Sequence, residues 1–358
     1  MKFIQKVFSV TNEKQNKVLR IFGIKFVFSG KNSLKYELKS IKSDITEIKK
    51  NNKKLNNENK KLAAQIDSLK KMLDSCCDIT KCKKATGTLR SVQLAKLKLA
   101  NILISIFEEN GITYWLDFGS LIGVIRHKGF IPWDDDIDIS VTRSDYLKIL
   151  DILGEKFKNT EFSLDIGDRK PSLFLRVFYK NSDICVDIFP YDFSDNEDIE
   201  VKELDIRIRK VLDNFHSKYS VEDFHNKKYL ITDKYSEFLS DYISGGVTSK
   251  NDGGKYLFKG IDAMTKQKNP RIHLVDNIYP LQKAEFEGYE FSVPNKPQEY
   301  LDELNIYGDL MKFPSISSNF LHMDANYEDK DFIESLKKTH KYLDEYITKN
   351  NIGVDNGK

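Results

Sequence analysis

From Leu34 to Leu73 a seam recurs at alternating steps of four and three. Leu34, Ile41, Ile48, Leu55, Leu62 and Leu69 hold the d positions; Leu38, Ile45, Asn52, Asn59, Ile66 and Leu73 hold the a positions. That spacing predicts a coiled-coil helix over 34–75, a stretch without glycine or proline. Asn52 and Asn59 pair best with themselves in a parallel, in-register assembly, and Glu37–Lys42 and Asp44–Lys49 fit the same arrangement. A homo-oligomer through this helix is expected, a dimer favoured over a trimer.

After the helix the pattern changes. "CCDITKCKKATGTLR" breaks the seam and reads as a linker, 76–89, with Cys76, Cys77 and Cys82 as free thiols. An amphipathic helix follows, from about Leu89 to Gly111. Then come a strand in "ITYWLDFGS" ending in a Gly-Ser turn, a short helix with a cationic end in "SLIGVIRHKG", and a strand in "DDIDISV". "RSDYLKILDILGEKF" is another helix, and "SLFLRVFYK" and "DICVDIFPY" pair as a hairpin. From 197 long amphipathic stretches predominate. Strands mixed with helices and then helices predict an α+β chain. The expected division is a basic segment 1–33, a coiled coil 34–75, a linker 76–89, a catalytic core 90–196, a helical C-terminal part 197–350 and a tail 351–358.

Charge narrows the functional classes. The net charge of +3 gives no field suited to nucleic acid, and no nucleic-acid partner is expected. The exception is local. Residues 1–31 carry seven Lys or Arg against one Glu, interleaved with Ile, Val and Phe, which predicts a small β-hairpin. Its cations are either simply solvated or an adhesive face for an anionic membrane. The cysteines make no secreted disulfide framework, "MKFIQKVFSV" is a poor secretory signal, and no apolar run reaches the roughly 20 residues of a span. A cytoplasmic protein is expected, peripheral contact with the inner face of the membrane being compatible with that.

The candidate chemistry lies in "FIPWDDDIDISV", 130–141. Side chains alternate along a strand, so Asp134, Asp136 and Asp138 are expected on one face and Ile137 and Ile139 on the other. Successive carboxylates would stand about 7 Å apart. Unneutralised, they raise one another's pKa; a hard divalent cation, Mg²⁺ or Mn²⁺, removes that cost. Within the otherwise apolar "ICVDIF", 184–189, Asp187 is the one charge. It either joins the aspartates as a neighbouring strand or pairs with a cation such as Arg176. Gly119 and Ser120 would open a helix whose free N–H groups suit a phosphate. Gly-Ser, Asp-x-Asp on a strand and a lone Asp on a later strand are the pattern of the nucleotidyltransferase fold. The predicted class is therefore a nucleotidyltransferase-type mixed sheet with a helical C-terminal region, preceded by the coiled-coil helix. Arg126 and Lys128 are placed to meet phosphate. Trp133 could face cytosine, a quaternary ammonium or the core. Glu287, Tyr307 and Asp309 are pocket candidates from the C-terminal half, without an assigned role.

"YWLDFGSLIGVIRHKGFIPWDDDIDI", with "VDIFPYD", "FEGYEFSVPNKPQEYLDELNIYGD" and "FPS" after "YGDLM", resembles the LicD family over roughly 95–315. The family includes bacterial phosphocholine transferases and is similar to fukutin-type phospho-ribitol transferases. The resemblance implies transfer of a phospho-alcohol from a CDP-linked donor to a hydroxyl of a cell-surface glycan precursor, lipid-linked forms included, with release of CMP. It implies Asp136 and Asp138 as metal ligands, Asp187 as third ligand or base, and Gly119 and Ser120 along the phosphates. Two rivals stand beside it: a sugar-nucleotide glycosyltransferase using Asp-x-Asp, and an inactive coiled-coil scaffold.

Overall fold

The computed structural model describes residues 8–13, 16–21, 24–28, 31–166, 173–180, 182–194, 199–219, 233–244, 247–249, 252–264, 270–304, 307–314 and 325–352. The chain divides into two units, Met1–Met72 and Leu73–Lys358.

In the first unit β1 (Phe8–Glu13), β2 (Asn16–Ile21) and β3 (Ile24–Phe28) form an antiparallel meander, one strand more than the expected hairpin. The membrane-adhesive reading concerns side chains that, apart from Thr11 and Val18, lie outside the described residues. Helix α1 runs unbroken over Lys31–Cys76, and its last turn belongs to the second unit. Lys54–Glu58 and Lys71–Asp67 are i,i+4 ion pairs along it. The d residues Ile48, Leu55, Leu62 and Leu69 are 53–57% exposed, an apolar seam that the single chain leaves in water.

In the second unit α2 (Gly87–Glu109) buries a wide apolar face, including Val92, Leu99, Leu103 and Phe107. Gly111, at φ +64°, turns the chain out of it, and the Ile112 N–H returns to the Phe107 carbonyl at 2.9 Å. β4 (Tyr114–Leu116) and α3 (Phe118–His127) follow, then β5 (Asp138–Thr142), α4 (Arg143–Lys156), β6 (Phe162–Ile166), β7 (Leu175–Tyr179) and β8 (Cys185–Phe193). All nine residues of β8 are buried, as a strand packed on both faces requires. On one edge β8 pairs in parallel with β5; on the other it pairs antiparallel first with β7 and then with β9 (Tyr256–Lys259). β4 and β10 (Ile272–Leu274) end the main path, and β6 adds to β7. The result is a mixed sheet of seven strands, with α2 packed on β8 and α4 on β5 and β8.

The region after 197 carries helices as expected, among them α5 (Val201–Lys218), α6 (Asp233–Ser244), α7 (Val275–Ile278), α8 (Pro297–Leu304) and α9 (Lys330–Lys349). It also supplies β9 and β10 to the central sheet and the hairpin β11 (Gln282–Phe286)–β12 (Tyr289–Val293). Strand pairing therefore crosses the expected boundary at 196/197. Strands of three to five residues hold too little periodicity to be read locally; β9 takes its register from β8. The expected linker is also built in: Ile79 is buried, and Lys84 Nζ reaches Glu287 Oε2 at 2.7 Å.

Candidate functional site

Register places the carboxylates. Asp138 opens β5, and its strand partner on β8 is Asp187, whose partner on β7 is Arg176. Residues directly opposite in a sheet share a face, so Asp138, Asp187 and Arg176 form one row across three strands. Arg176 Nε donates to Asp187 Oδ1 at 3.0 Å, and both side chains are buried. The two sequence readings of Asp187 hold together: it stands beside the aspartates and it is ion-paired.

Asp134 and Asp136 reach the same place by another route. The expected strand over 135–141 begins only at Asp138. The Asp134 N–H donates to the Ile131 carbonyl at 3.0 Å, and the Asp135 N–H to Asp134 Oδ1 at 2.9 Å. These bonds turn 131–136 out of the ladder, so strand alternation does not apply there. A cavity of about 150 Å³ is nonetheless lined by Asp134, Asp136 and Asp138 together. Carboxylate oxygens of Asp134, Asp135 and Asp136 all lie within 4.8 Å of one another. Burial drives the Asp138 carboxyl pKa well up, and Asp136, Asp187, Asp134 and Asp117 push it further the same way. Close-set hard oxygens are a donor set that suits a divalent cation.

The Gly-Ser motif works differently from the expected turn. Asp117 is the N-cap of α3; its Oδ1 accepts the Phe118 N–H at 2.7 Å. Its Oδ2 accepts the hydroxyls of Ser140 at 2.6 Å and Tyr191 at 3.0 Å. Gly119 and Ser120 lie within the first turn, and Phe118, not Gly119, takes the positive φ of 45°. Gly119 is small for another reason: a Cβ there would meet Asp134 Oδ2 at 2.7 Å. Ser120 is buried, and its Oγ accepts the Asp138 N–H at 2.9 Å. Its hydroxyl thus fixes the start of β5 instead of forming cavity wall.

The other candidates divide. Arg126 lines the cavity; burial lowers its guanidinium pKa, with Asp309 and Cys82 opposing, and Nε has no hydrogen-bond partner among the described residues. Tyr307 and Trp133 also line it, and Trp133 stacks on Phe313 with centroids 5.8 Å apart. Lys128 points elsewhere, to Glu285 at 3.5 Å, because the left-handed C-cap of α3 turns the chain away there. Asp309 is exposed, pairing with Lys312 at 3.2 Å and capping the Met311 N–H at 2.9 Å. Glu287 is also outside the lining, drawn off by Arg90 and Lys84.

Sequence reading missed the polar ladder of α2. Arg90, Gln93 and Lys96 follow at i, i+3 and i+6 on a largely apolar helix. Gln93 Nε2 donates to the Asp134 carbonyl at 2.7 Å. Lys96 Nζ meets Asp135 Oδ2 at 3.3 Å and Asp136 Oδ1 at 3.2 Å. Burial opposes charge on Lys96, but Asp136, Cys185 and Asp135 outweigh it and raise its pKa. Tyr327 completes the grip by donating its hydroxyl to Asp135 Oδ2. A lysine inside an apolar helical stripe is the signal that was there to be read.

A mixed sheet with carboxylates abreast on parallel neighbours, beside a capped helix, defines a nucleotidyltransferase-type domain. A family model described as LicD/FKTN/FKRP, nucleotidyltransferase domain, matches residues 111–221. The chain is 30% identical over 253 residues to the lipopolysaccharide cholinephosphotransferase LicD of Haemophilus influenzae, covering 63% of this chain and 92% of that protein. It is 30% identical over 100 residues to the mouse ribitol 5-phosphate transferase FKRP, covering 26% of this chain but 19% of that protein. The chain belongs to the LicD family and is a phosphotransferase of that type. No helix among the described residues is long and apolar enough to cross a membrane.

Proposed function

We propose that the cavity binds a CDP-linked alcohol and that the chain passes its phospho-alcohol to a glycan hydroxyl. The observation that carries this reading is a cavity lined by Asp134, Asp136, Asp138 and Arg126, with Asp187 outside the lining as the strand partner of Asp138. In the reaction the acceptor oxygen bonds to the donor's distal phosphorus. The bond from that phosphorus to the bridging oxygen breaks, and CMP leaves with that oxygen. Such transfer depends on positioning and charge neutralisation more than on a protein nucleophile. Mg²⁺ or Mn²⁺ held by Asp136 and Asp138, with Asp187 adjacent, would supply that neutralisation when bound. Asp187, oriented by Arg176, is the third ligand or takes the acceptor's proton. Arg126 contributes a fixed positive charge to phosphate oxygens. Trp133, Phe118 and Tyr307 give aromatic walls to a base or a quaternary ammonium.

Thermal-shift measurements with Mg²⁺ and CDP-choline, CDP-glycerol or CDP-ribitol test the donor class. One of them is expected to raise the melting temperature, about 2.7 kcal/mol of stabilisation at 100 times Kd, and to yield CMP with an acceptor. Stabilisation by a sugar nucleotide such as UDP-glucose, with none from the three CDP-alcohols, would transfer the reading to glycosyl transfer.

The open seam of α1 supports a parallel homodimer, in which two basic N-terminal segments share one particle. Weak contacts of each with an anionic membrane would then add through effective concentration and hold the enzyme near a lipid-linked acceptor. Leu55→Asp with Leu62→Asp touches only exposed side chains. The double variant is expected to be monomeric by light scattering, to keep catalytic activity, and to float less with anionic liposomes. An oligomer that survives it would remove the coiled-coil assignment.

A further inference from the structure

Lys96 and Arg176 are buried and Arg143 nearly so, and each is met by carboxylates: Lys96 by Asp135 and Asp136, Arg143 by Asp192 and Asp262, Arg176 by Asp187. Arg271 is not. Its side chain belongs to a residue only 8% exposed, and no carboxylate pairs with its guanidinium among the described residues. What holds it is the Phe118 ring, with Cζ 4.6 Å from the centroid. Lys259 shares that ring at 4.9 Å and lies 3.9 Å over Phe189. The two cations are brought together by backbone: the Lys259 N–H donates to the Arg271 carbonyl at 3.2 Å.

Phe118 and Tyr307 both line the acidic cavity. Burial raises the Tyr307 hydroxyl pKa; Arg271 opposes that shift and Asp138 adds to it. Arg271 does not itself line that cavity; it lies against the wall through Phe118, on whose ring it packs. An arginine stays charged, and burying it unpaired is expensive. A ring face recovers only part of that cost. An arriving anion would recover the rest.

We propose that Arg271, braced by Phe118 and neighboured by Lys259, is an anion-binding arm of the cavity that takes phosphate oxygens. The inference rests on the reading of the cavity as a phosphate-donor site, and it lies outside the 111–221 segment that the family model matches. Two sources share the chemistry: the donor's diphosphate, or a phosphate carried by the acceptor. Guanidinium is suited to either because its planar fork meets two oxygens at once.

Isothermal titration of full-length wild type, Arg271→Gln and Arg271→Lys with Mg²⁺ decides between them. The probes are inorganic pyrophosphate, CDP-choline, and inorganic phosphate added to CMP-saturated protein. If the donor is the source, Arg271→Gln is expected to weaken pyrophosphate and CDP-choline by about tenfold or more, the loss of a charged hydrogen bond. If the acceptor is the source, CDP-choline affinity stays and phosphate binding to the CMP-loaded protein disappears. Arg271→Lys keeps the charge without the fork and is expected to fall between. Without its unpaired charge, the ligand-free Arg271→Gln protein is expected to melt no lower than wild type. A lowered melting temperature with unchanged affinity for every probe would make Arg271 a structural cation–ring clamp and overturn the proposal. Should Arg271→Gln not fold, Arg271→Lys with wild-type affinities for every probe has the same force. A wild type that ignores CDP-choline, CDP-glycerol and CDP-ribitol alike but binds pyrophosphate through Arg271 would fault the donor reading and leave the anion arm standing.

Discussion

Asp138→Asn is expected to lower turnover by about 10³-fold or more and to make the metal-free protein more stable at neutral pH. The first effect follows from several kcal/mol of charge stabilisation at the phosphoryl group, at 1.36 kcal/mol for each factor of ten. The second follows from the direction of the Asp138 shift, which burial and then Asp136, Asp187, Asp134 and Asp117 raise. A carboxyl raised on folding lends stability below its unfolded pKa and loses it as pH climbs through the folded value. The melting temperatures of wild type and Asp138→Asn should therefore agree more closely in acid and separate as pH rises through that window, the variant lying above. Mg²⁺ is expected to close the gap by stabilising wild type alone. Asp136→Asn should show the same loss of turnover, but Lys96 then loses one of its two carboxylates, so its gain in stability is smaller. Melting curves over pH with and without Mg²⁺, together with CMP release, check both. Turnover near the wild-type rate, or a less stable ligand-free Asp138→Asn protein, would remove Asp138 from the proposed metal site.

The aspartates were legible because their problem is local. Four like charges in five positions are costly wherever the chain goes, and the apolar Ile137 and Ile139 tie them to a core. Their means of convergence was not legible. Strand alternation predicts one shared face for 134, 136 and 138, whereas Asp134 and Asp136 arrive from a turn stabilised by the backbone bonds at Asp134 and Asp135. Gly119 showed itself as a small residue near the site, but its constraint is a carboxylate oxygen from fifteen residues on, a tertiary fact. Asp117 lay one residue from the motif and passed as part of a strand. A cap is recognised by the bond it makes, and its second oxygen meets Tyr191, 74 positions away. Arg271 had no local signal at all: an arginine followed by Ile-His-Leu reads as any surface position, and only the sheet path β8–β9–β10 carries it to Phe118. The long helix was the easiest element to read, since a heptad seam is visible in one dimension. Its consequence for assembly remains a matter for the light-scattering experiment.

Glu287→Gln is expected to destabilise the unit by about 3 kcal/mol, a fall of roughly 6–10 °C in melting temperature. Glu287 sits at the first position of the two-residue turn of the β11–β12 hairpin, with φ +54° and Gly288 at +85°. Both angles positive is the primed turn that favours Asn-Gly. A glutamate accepts strain there, so its side chain must return more than the turn costs. It does so with a side chain 3% exposed: Oε2 meets Arg90 Nη2 at 2.6 Å and Lys84 Nζ at 2.7 Å, and Oε1 accepts the Phe130 N–H at 3.1 Å. These contacts tie the hairpin to α2 and to the chain that leads into the aspartate turn. Removing the charge leaves Arg90, itself mostly buried, without its counter-ion. Burial opposes the ionised form of Glu287, but Arg90 and Lys84 prevail and hold its pKa below the ordinary value. A carboxylate lowered on folding gives stability above its unfolded pKa and loses it as pH falls through the folded value. The difference between wild type and Glu287→Gln is thus expected to be full at neutral pH and to shrink below about pH 4.5, the ordinary glutamate range. Glu287→Asn is the informative companion, because it relieves the turn and cannot reach Arg90. If Asn proves as stable as Glu, the turn and not the ion pair governs this position; if both variants lose stability together at neutral pH, the buried pair does.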